Sequence, residues 1–362
     1  MNIPAKDSSI HLMTNAESAS PAKIYDTTII GAGPTGLFGL FYSCLRQMDT
    51  LLIDSLPELG GQLAALYPEK DIYDMPGYPR VKAKDLVDNL VEQASMHKAQ
   101  DIVLGERVEQ LENLEDGTIR LTTDKATTYI TKTVIITTGA GAFKPNKIPL
   151  ATLHPFEGQF LHYFVKDKQV FKGKKIVIVG GGDSAMDWVM NLAELADSIH
   201  LVHRRDVFRA HEDSVEKVMG MTQVPKHLFC ELREFSQKPD GSLESVTIEN
   251  TKTGERQIIE ADHVIALLGF VADVGPIKNW NLELKGNSIV VNSRMETGRP
   301  GVYAAGDITH FDGKLKLIAT GVGEAAIAVN AAKSVVDPTA RMQPAHSTSL
   351  FEKKKDKAAA TA

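Results

Sequence analysis

The feature that most constrains this chain is Tyr25-Asp26-Thr27-Thr28-Ile29-Ile30, an apolar strand that runs directly into Gly31-Ala32-Gly33-Pro34-Thr35-Gly36. Three glycines at that spacing leave few folds open. Gly31 permits a tight turn, Gly33 lets backbone approach a pyrophosphate with no Cβ between them, and Gly36 lets the next helix pack close on the strand. The helix N-terminus then faces the phosphates with partial positive charge. The context supports this reading. An apolar helix follows over residues 37–45, and a second strand over 51–53 ends at Asp54, where a ribose hydroxyl needs an acceptor.

At 362 residues and 43% hydrophobic content, the chain has material for two cores, so two domains are expected. A net charge of -6 argues against nucleic acid as a partner. No apolar run approaches the roughly 20 residues of a membrane helix. Residues 1–23 read as a disordered leader and 352–362 as a disordered tail, both too polar to pack. Two cysteines occur, Cys44 in the first apolar helix and Cys230 in an expected strand, with no CxxC. That argues against a disulfide scaffold and a cysteine metal site, and makes the cytoplasm the expected location. His11, His97, His154 and the other histidines show no metal-ligand spacing.

Glycines and prolines from Leu59 to Pro79 mark a loop whose course is set by backbone geometry. Within it, Gln62 carries the donor and acceptor to recognise a polar ring edge, and Tyr67 offers a flat face for stacking or, alternatively, fills a core. A helix is expected over 83–97, then short strands to 138. A second fingerprint, Gly180-Gly181-Gly182-Asp183-Ser184-Ala185, follows the strand Lys175-Ile176-Val177-Ile178-Val179. After the next strand, His203-Arg204-Arg205 stands where the first unit has Asp54, with Arg209 beyond. A guanidinium pair there suits a 2'-phosphate, so NADP(H) is expected over NAD(H). The bland alternative is a solvated charge pair. Farther on, a strand ends in Gly306-Asp307, and an Ala-rich helix opens at Ala319 to Ala326. Small residues there permit close approach to a ligand, and Asp307 can accept from a hydroxyl.

Taken together, residues 24–335 resemble the flavoprotein disulfide reductase superfamily, specifically its thioredoxin-reductase-like branch, through the two fingerprints, His203 to Ala210 and Gly306-Asp307. The CxxC of a thioredoxin reductase is missing, and His162-Tyr163-Phe164-Val165 stands between Gly141 and Gly180 instead. The chain is therefore similar to the ferredoxin/flavodoxin-NADP reductases of the thioredoxin-reductase type, which share a Tyr67-Pro68-Glu69-Lys70 segment and a Ser347-Thr348-Ser349 tail. The resemblance implies an α/β fold of two Rossmann-like three-layer domains: an FAD domain in two pieces, 24–143 and 274–351, with an NADP domain, 144–273, inserted. It implies FAD held by Gly31, Gly33, Thr35, Gly36, Asp54, Gln62, Tyr67, Val108, Phe143, Asp307 and Thr348. NADP would be held by Gly180, Gly182, Asp183, Ser184, His203, Arg204, Arg205 and Arg209. It further implies a homodimer that passes electrons to ferredoxin or flavodoxin, with domain rotation at the crossings near Ala142 and Asp273. No acid or base residue is expected, because hydride transfer to flavin is cofactor chemistry. Tyr67 and His346 are the expected flavin-stacking residues, His346 as a removable cover carried on the tail or, alternatively, an exposed residue of a frayed terminus. Two other functions remain open: a flavin oxidoreductase acting on quinones or a disulfide partner, and a flavin redox sensor. With a net charge of -6, docking an acidic partner requires a local basic patch.

Overall fold

The computed structural model describes residues 10–12, 23–96, 100–165 and 167–342. The chain forms two compact units, residues 1–142 with 272–362, and residues 143–271. Both are α/β.

The first unit is built on a 6-stranded parallel sheet, in the order Ile10–Leu12, Gln100–Leu104, Thr50–Asp54, Thr27–Ile30, Val134–Ile136, Val302–Ala304. Thr27–Ile30 and Thr50–Asp54 are buried at every position, as expected of parallel strands covered on both faces. One cover includes the helices Pro34–Leu45 and Ile318–Val336, which meet where a Cβ on Gly39 would lie 3.8 Å from the Cβ of Ala325. A 4-stranded sheet of Ile24–Tyr25, Thr128–Thr131, Ile119–Thr123 and Val108–Asn113 forms a further layer. Its inward residues Ile119 and Leu121 join Ile29, Leu40 and Ile135 in one core. Strand order reverses beside Thr27–Ile30, and the crevice beyond the carboxyl ends of such strands is where a parallel sheet takes its ligand.

The leader departs from the sequence expectation. Ile10–Leu12, expected to be disordered with the rest of residues 1–23, is the outermost strand, paired in parallel with Gln100 to Ile102. Three residues, Ile10, His11 and Leu12, suffice to pair with a sheet edge whose backbone groups otherwise lack partners. The remainder of that leader, and the tail at 352–362, lie outside the described residues.

The second unit repeats the plan. A 5-stranded parallel sheet runs Leu161–His162, His263–Leu267, Lys175–Gly180, Ser198–His203, Lys226–Leu228. The helix Asp183–Leu192 covers one face through Met186, Val189 and Leu192. On the other face a 3-stranded antiparallel sheet, Cys230–Gln237, Leu243–Asn250 and Arg256–Glu260, buries Leu232, Val246 and Ile259. Among the described residues no helix is long and apolar enough to cross a membrane.

Candidate cofactor sites

In the first unit the glycine loop is fixed by contacts that a side chain would break. Gly31 sits at φ +111°, and a Cβ there would lie 2.6 Å from the carbonyl oxygen of Thr137. A Cβ on Gly36 would lie 1.8 Å from the Gly31 carbonyl oxygen, so the helix Pro34–Leu45 starts against the turn only because residue 36 has none. Gly33 is different. A Cβ there meets nothing within 4 Å, and no side chain caps the helix that begins after it. Open space before uncapped N–H groups is what a pyrophosphate fits.

Around this cradle the other expected residues converge. Asp54 is buried, and its carboxylate accepts backbone N–H groups from Ala32 and, at 2.8 Å, from Leu56. Burial pushes its carboxyl above the ordinary range, and those N–H groups act against that rise. Ser55, through its side chain and its backbone N–H, acts the same way. Gln62 opens the short helix Gln62–Ala65, with its Nε2 3.4 Å from where a Gly139 Cβ would stand. Tyr67 is half-buried, with the Lys70 ammonium 5.8 Å from its ring centroid. Its loop is tied to the helix Ala83–Ser95: Lys84 N–H donates to Pro68 O at 3.0 Å, Ala83 N–H donates to Lys70 O at 2.9 Å, and Lys84 pairs with Glu69 at 3.0 Å. Thr35 meets Gly306 and Gly321, whose Cβ positions would lie 2.8 Å and 2.5 Å from its Oγ1. The start of one helix, the Gly306-Asp307 turn and the start of another are thereby drawn together.

Val108 is also buried, at 3% exposure, and packs into the unit's core, which leaves its backbone as the part able to meet a ligand. Phe143 lies in the strand Ala142–Pro145, of which the backbone alone is described. His346 and Thr348 lie outside the described residues.

In the second unit the fingerprint opens onto a cleft of about 550 Å³ lined by Gly180 to Gly182, His203, Arg204, Arg205 and Arg209. Gly182 resembles Gly33: a Cβ there meets nothing within 4 Å. A Gly181 Cβ would lie 2.2 Å from His203 Cε1, so the imidazole rests on the loop itself. The ring also stacks on Phe208 at 4.8 Å and hydrogen-bonds the Val207 carbonyl through Nε2 at 3.1 Å. Burial, followed by the charges of Arg204 and Arg205, lowers its pKa, so His203 is neutral and its Nε2 carries the proton. Asp183 is already engaged: its carboxylate accepts the His211 N–H at 2.9 Å, while Arg209 N–H donates to Gly181 O at 2.8 Å. Ser184 is half-buried in the helix start. Arg204, Arg205 and Arg209 are exposed, and among the described residues none has a carboxylate at ion-pair distance. Nearby Arg233, by contrast, is held by Glu231 and Glu249, both at 3.1 Å. Three guanidinium groups at a cleft without carboxylate partners are a site for an anion.

The pyridine nucleotide-disulphide oxidoreductase family model matches residues 25–332. The chain belongs to that family. As a member, it is an FAD- and NADP(H)-dependent oxidoreductase. It is 53% identical over 328 residues to a protein of Geobacillus thermodenitrificans named ferredoxin–NADP reductase, covering 91% of this chain and 98% of that one. It is 49% identical over 331 residues to ferredoxin–NADP reductase 2 of Oceanobacillus iheyensis, covering 91% and 99%. Among solved structures it is similar to thioredoxin reductase of Lactococcus lactis, at TM-score 0.70 and 25% identity over 86% of this chain and 99% of that one.

The two cysteines are free, buried and far apart in sequence. Cys44 is buried in the helix Pro34–Leu45 of one unit and Cys230 begins a strand of the other. In the His162 to Val165 segment, Tyr163 and Val165 are core: Tyr163 is 2% exposed and its hydroxyl accepts the Ile148 N–H at 3.2 Å. Sequence reading passed over Lys314 and gave Glu324 no role of its own, although Gly321 and Glu324 fall in the helix opening it marked for close approach to a ligand. Glu324 accepts the Gly306 N–H at 2.8 Å, inside a helix otherwise rich in alanine and glycine. A lone glutamate among small apolar residues was the available signal.

Proposed function

We propose that this oxidoreductase transfers electrons between NADPH and ferredoxin, with flavodoxin as an alternative protein partner. The observation that carries the NADPH half is the set Arg204, Arg205 and Arg209 at the second fingerprint, exposed and without carboxylate partners among the described residues. The ferredoxin half rests on relatives 49% to 53% identical over nearly their whole length whose names specify that activity.

In this reading each unit has a binding task. FAD, when bound, supplies the chemistry, taking hydride from the nicotinamide and releasing electrons singly. The loop Gly31 to Gly36 receives its pyrophosphate, Asp54 its ribose, and Gln62, Tyr67 and Asp307 its flavin end; Val108 and Phe143 complete the set. Gly180, Gly182, Asp183 and Ser184 receive the pyrophosphate of NADPH, while Arg204, Arg205 and Arg209 take its 2'-phosphate. His203 lines the same cleft and packs on its glycine loop, and belongs to the nucleotide contacts. His346 and Thr348 belong to the same reading as contacts from the tail, and so does a homodimer. With two cysteines in the sequence and no CxxC, electrons leave without a dithiol relay.

The test is steady-state NADPH oxidation by the FAD-loaded protein with ferredoxin, flavodoxin, a quinone and a protein disulfide offered in turn. Ferredoxin or flavodoxin is expected to give the highest kcat/KM. Preference for the quinone or the disulfide would overturn the assignment, and no turnover with any acceptor would point to a sensor.

A further inference from the structure

Lys314 and Glu324 form an ion pair whose side chains are 5% and 7% exposed; among the described residues no other ion pair has both members under one-tenth exposed. Removing two charges from water is costly, and neutral residues of similar volume often serve stability as well or better. Stability alone is therefore a poor account of the pair, and its contacts supply a better one.

Glu324 turns one oxygen to Lys314 and the other to the Gly306 N–H at 2.8 Å, where the Thr309 hydroxyl also lies at 3.3 Å. Gly306 has little freedom apart from this bond. It sits at φ +83°, its Cβ position is 2.8 Å from Thr35 Oγ1, and a Gly321 Cβ would come within 3.3 Å of its Cα. Asp307 follows directly, half-buried and with no hydrogen-bond partner of its own among the described residues. The chain of contacts runs from Lys314 through Glu324 to the Gly306 peptide, and ends at a carboxylate with spare acceptor capacity.

We infer that Lys314 and Glu324 are positioning residues of the flavin site, clamping the Gly306-Asp307 turn so that the Asp307 carboxylate meets a hydroxyl of FAD. The inference rests on reading Asp307 as an FAD contact. A charged acceptor bonds a backbone N–H more strongly than a neutral one, and Glu324 also holds Lys314 by its other oxygen. Lys314 thus acts through Glu324, and Glu324 through the backbone.

Two double variants separate clamping from packing, because both remove the charges together and strand neither. Lys314→Met with Glu324→Gln retains an acceptor for the Gly306 N–H; Lys314→Met with Glu324→Leu does not. FAD is stripped from the full-length chain, the apoprotein melting temperature is measured, and FAD is titrated back by fluorescence with its visible spectrum recorded. The Met/Gln variant is expected to bind FAD within about threefold of the parent, and the Met/Leu variant about tenfold or more weaker with a shifted spectrum, at similar apoprotein melting temperatures. Equal affinity and spectra in the two would overturn the clamp. Asp307→Ala, measured in parallel, is expected to weaken FAD about tenfold as well. Unchanged binding there would remove the Asp307 reading and the clamp's purpose with it, whereas weak binding there beside normal binding in Met/Leu would remove the clamp alone. Where Met/Leu does not fold, Lys314→Arg is compared with Lys314→Met: the clamp stands if only the Met variant loses affinity and falls if the two bind alike.

Discussion

One oxygen of the Asp54 carboxylate accepts the backbone N–H of Ala32, the residue between the first two fingerprint glycines. The other accepts the Leu56 N–H at 2.8 Å. The side chain read from sequence as a ribose acceptor therefore also ties the end of its strand to the glycine turn of the neighbouring strand.

This double duty sets the first prediction. Asp54→Ala leaves buried N–H groups without acceptors, at about 1 to 3 kcal/mol each, and removes the ribose contact. FAD affinity, measured by titrating the apoprotein, is expected to fall at least tenfold, or about 1.4 kcal/mol. Asp54→Asn keeps one acceptor oxygen and is expected to fall between the two. Parent-like FAD binding by Asp54→Ala would remove Asp54 from the site.

The first fingerprint was legible because its information is local: strand, glycines and helix lie within residues 25–45. The second was legible for the same reason: His203 ends its strand as Asp54 ends the equivalent one, and Arg204 and Arg205 follow directly. What escaped the sequence was contact across distance. Glu324 reaches Gly306 over 18 positions, and Gly321 meets Thr35 where two helices of one layer touch, so neither partner is visible from its own neighbours. His203 adds a contact the motif does not announce: Gly181, lacking a Cβ, leaves room for the ring on the loop at the edge of the cleft. The strand Ile10–Leu12 escaped because composition averaged over a polar leader hides three residues that can pair with a sheet edge.

Cofactor choice is the second prediction. Each charge-assisted hydrogen bond to a phosphate contributes about 1.5 to 3 kcal/mol, so replacing Arg204 and Arg205 with Ala is expected to lower kcat/KM for NADPH by about two to four orders of magnitude. NADH lacks the 2'-phosphate, and its kcat/KM is expected to change by less than about threefold. Equal losses with both nucleotides would assign the arginines to the cleft's general electrostatics instead.

The cysteines give the third. Burial, with the charge of Glu255 adding to it, raises the pKa of Cys230, which keeps that thiol protonated and a poor nucleophile. Cys44 is buried in its helix. Cys44→Ser with Cys230→Ser is expected to retain NADPH-driven ferredoxin reduction within about threefold, with a small loss of melting temperature from placing hydroxyls at buried sites. If the folded, FAD-loaded double variant oxidises NADPH but no longer passes electrons to ferredoxin, a thiol belongs in the path.

The last prediction concerns acid stability and rests on two histidine pairs in the second unit. His162 Nε2 lies 3.1 Å from His263 Nδ1, with Phe171 edge-on to both rings, and His200 Nδ1 lies 2.9 Å from His227 Nε2 in a stacked pair. One ring of each pair must accept, so each pair needs at least one neutral imidazole. Burial, then the neighbouring His263, lowers His162 from 6.5 to about 4, and burial is the leading cause of the lowered values of His263, His200 and His227. A histidine that protonates less readily when folded leaves the unfolded chain binding more protons between the two pKa values. Stability contributed by the neutral pairs is thus present above about pH 6.5 and declines as the medium is acidified toward about 4. Urea unfolding of the second unit, followed from pH 7.5 down to pH 5, is expected to show a loss of about 1 to 3 kcal/mol from the His162 pair. His162→Phe with His263→Phe removes that pair without stranding either ring, and its stability is expected to fall less over the same range. An equal fall in the variant and the parent would show that the pair does not set the acid limit.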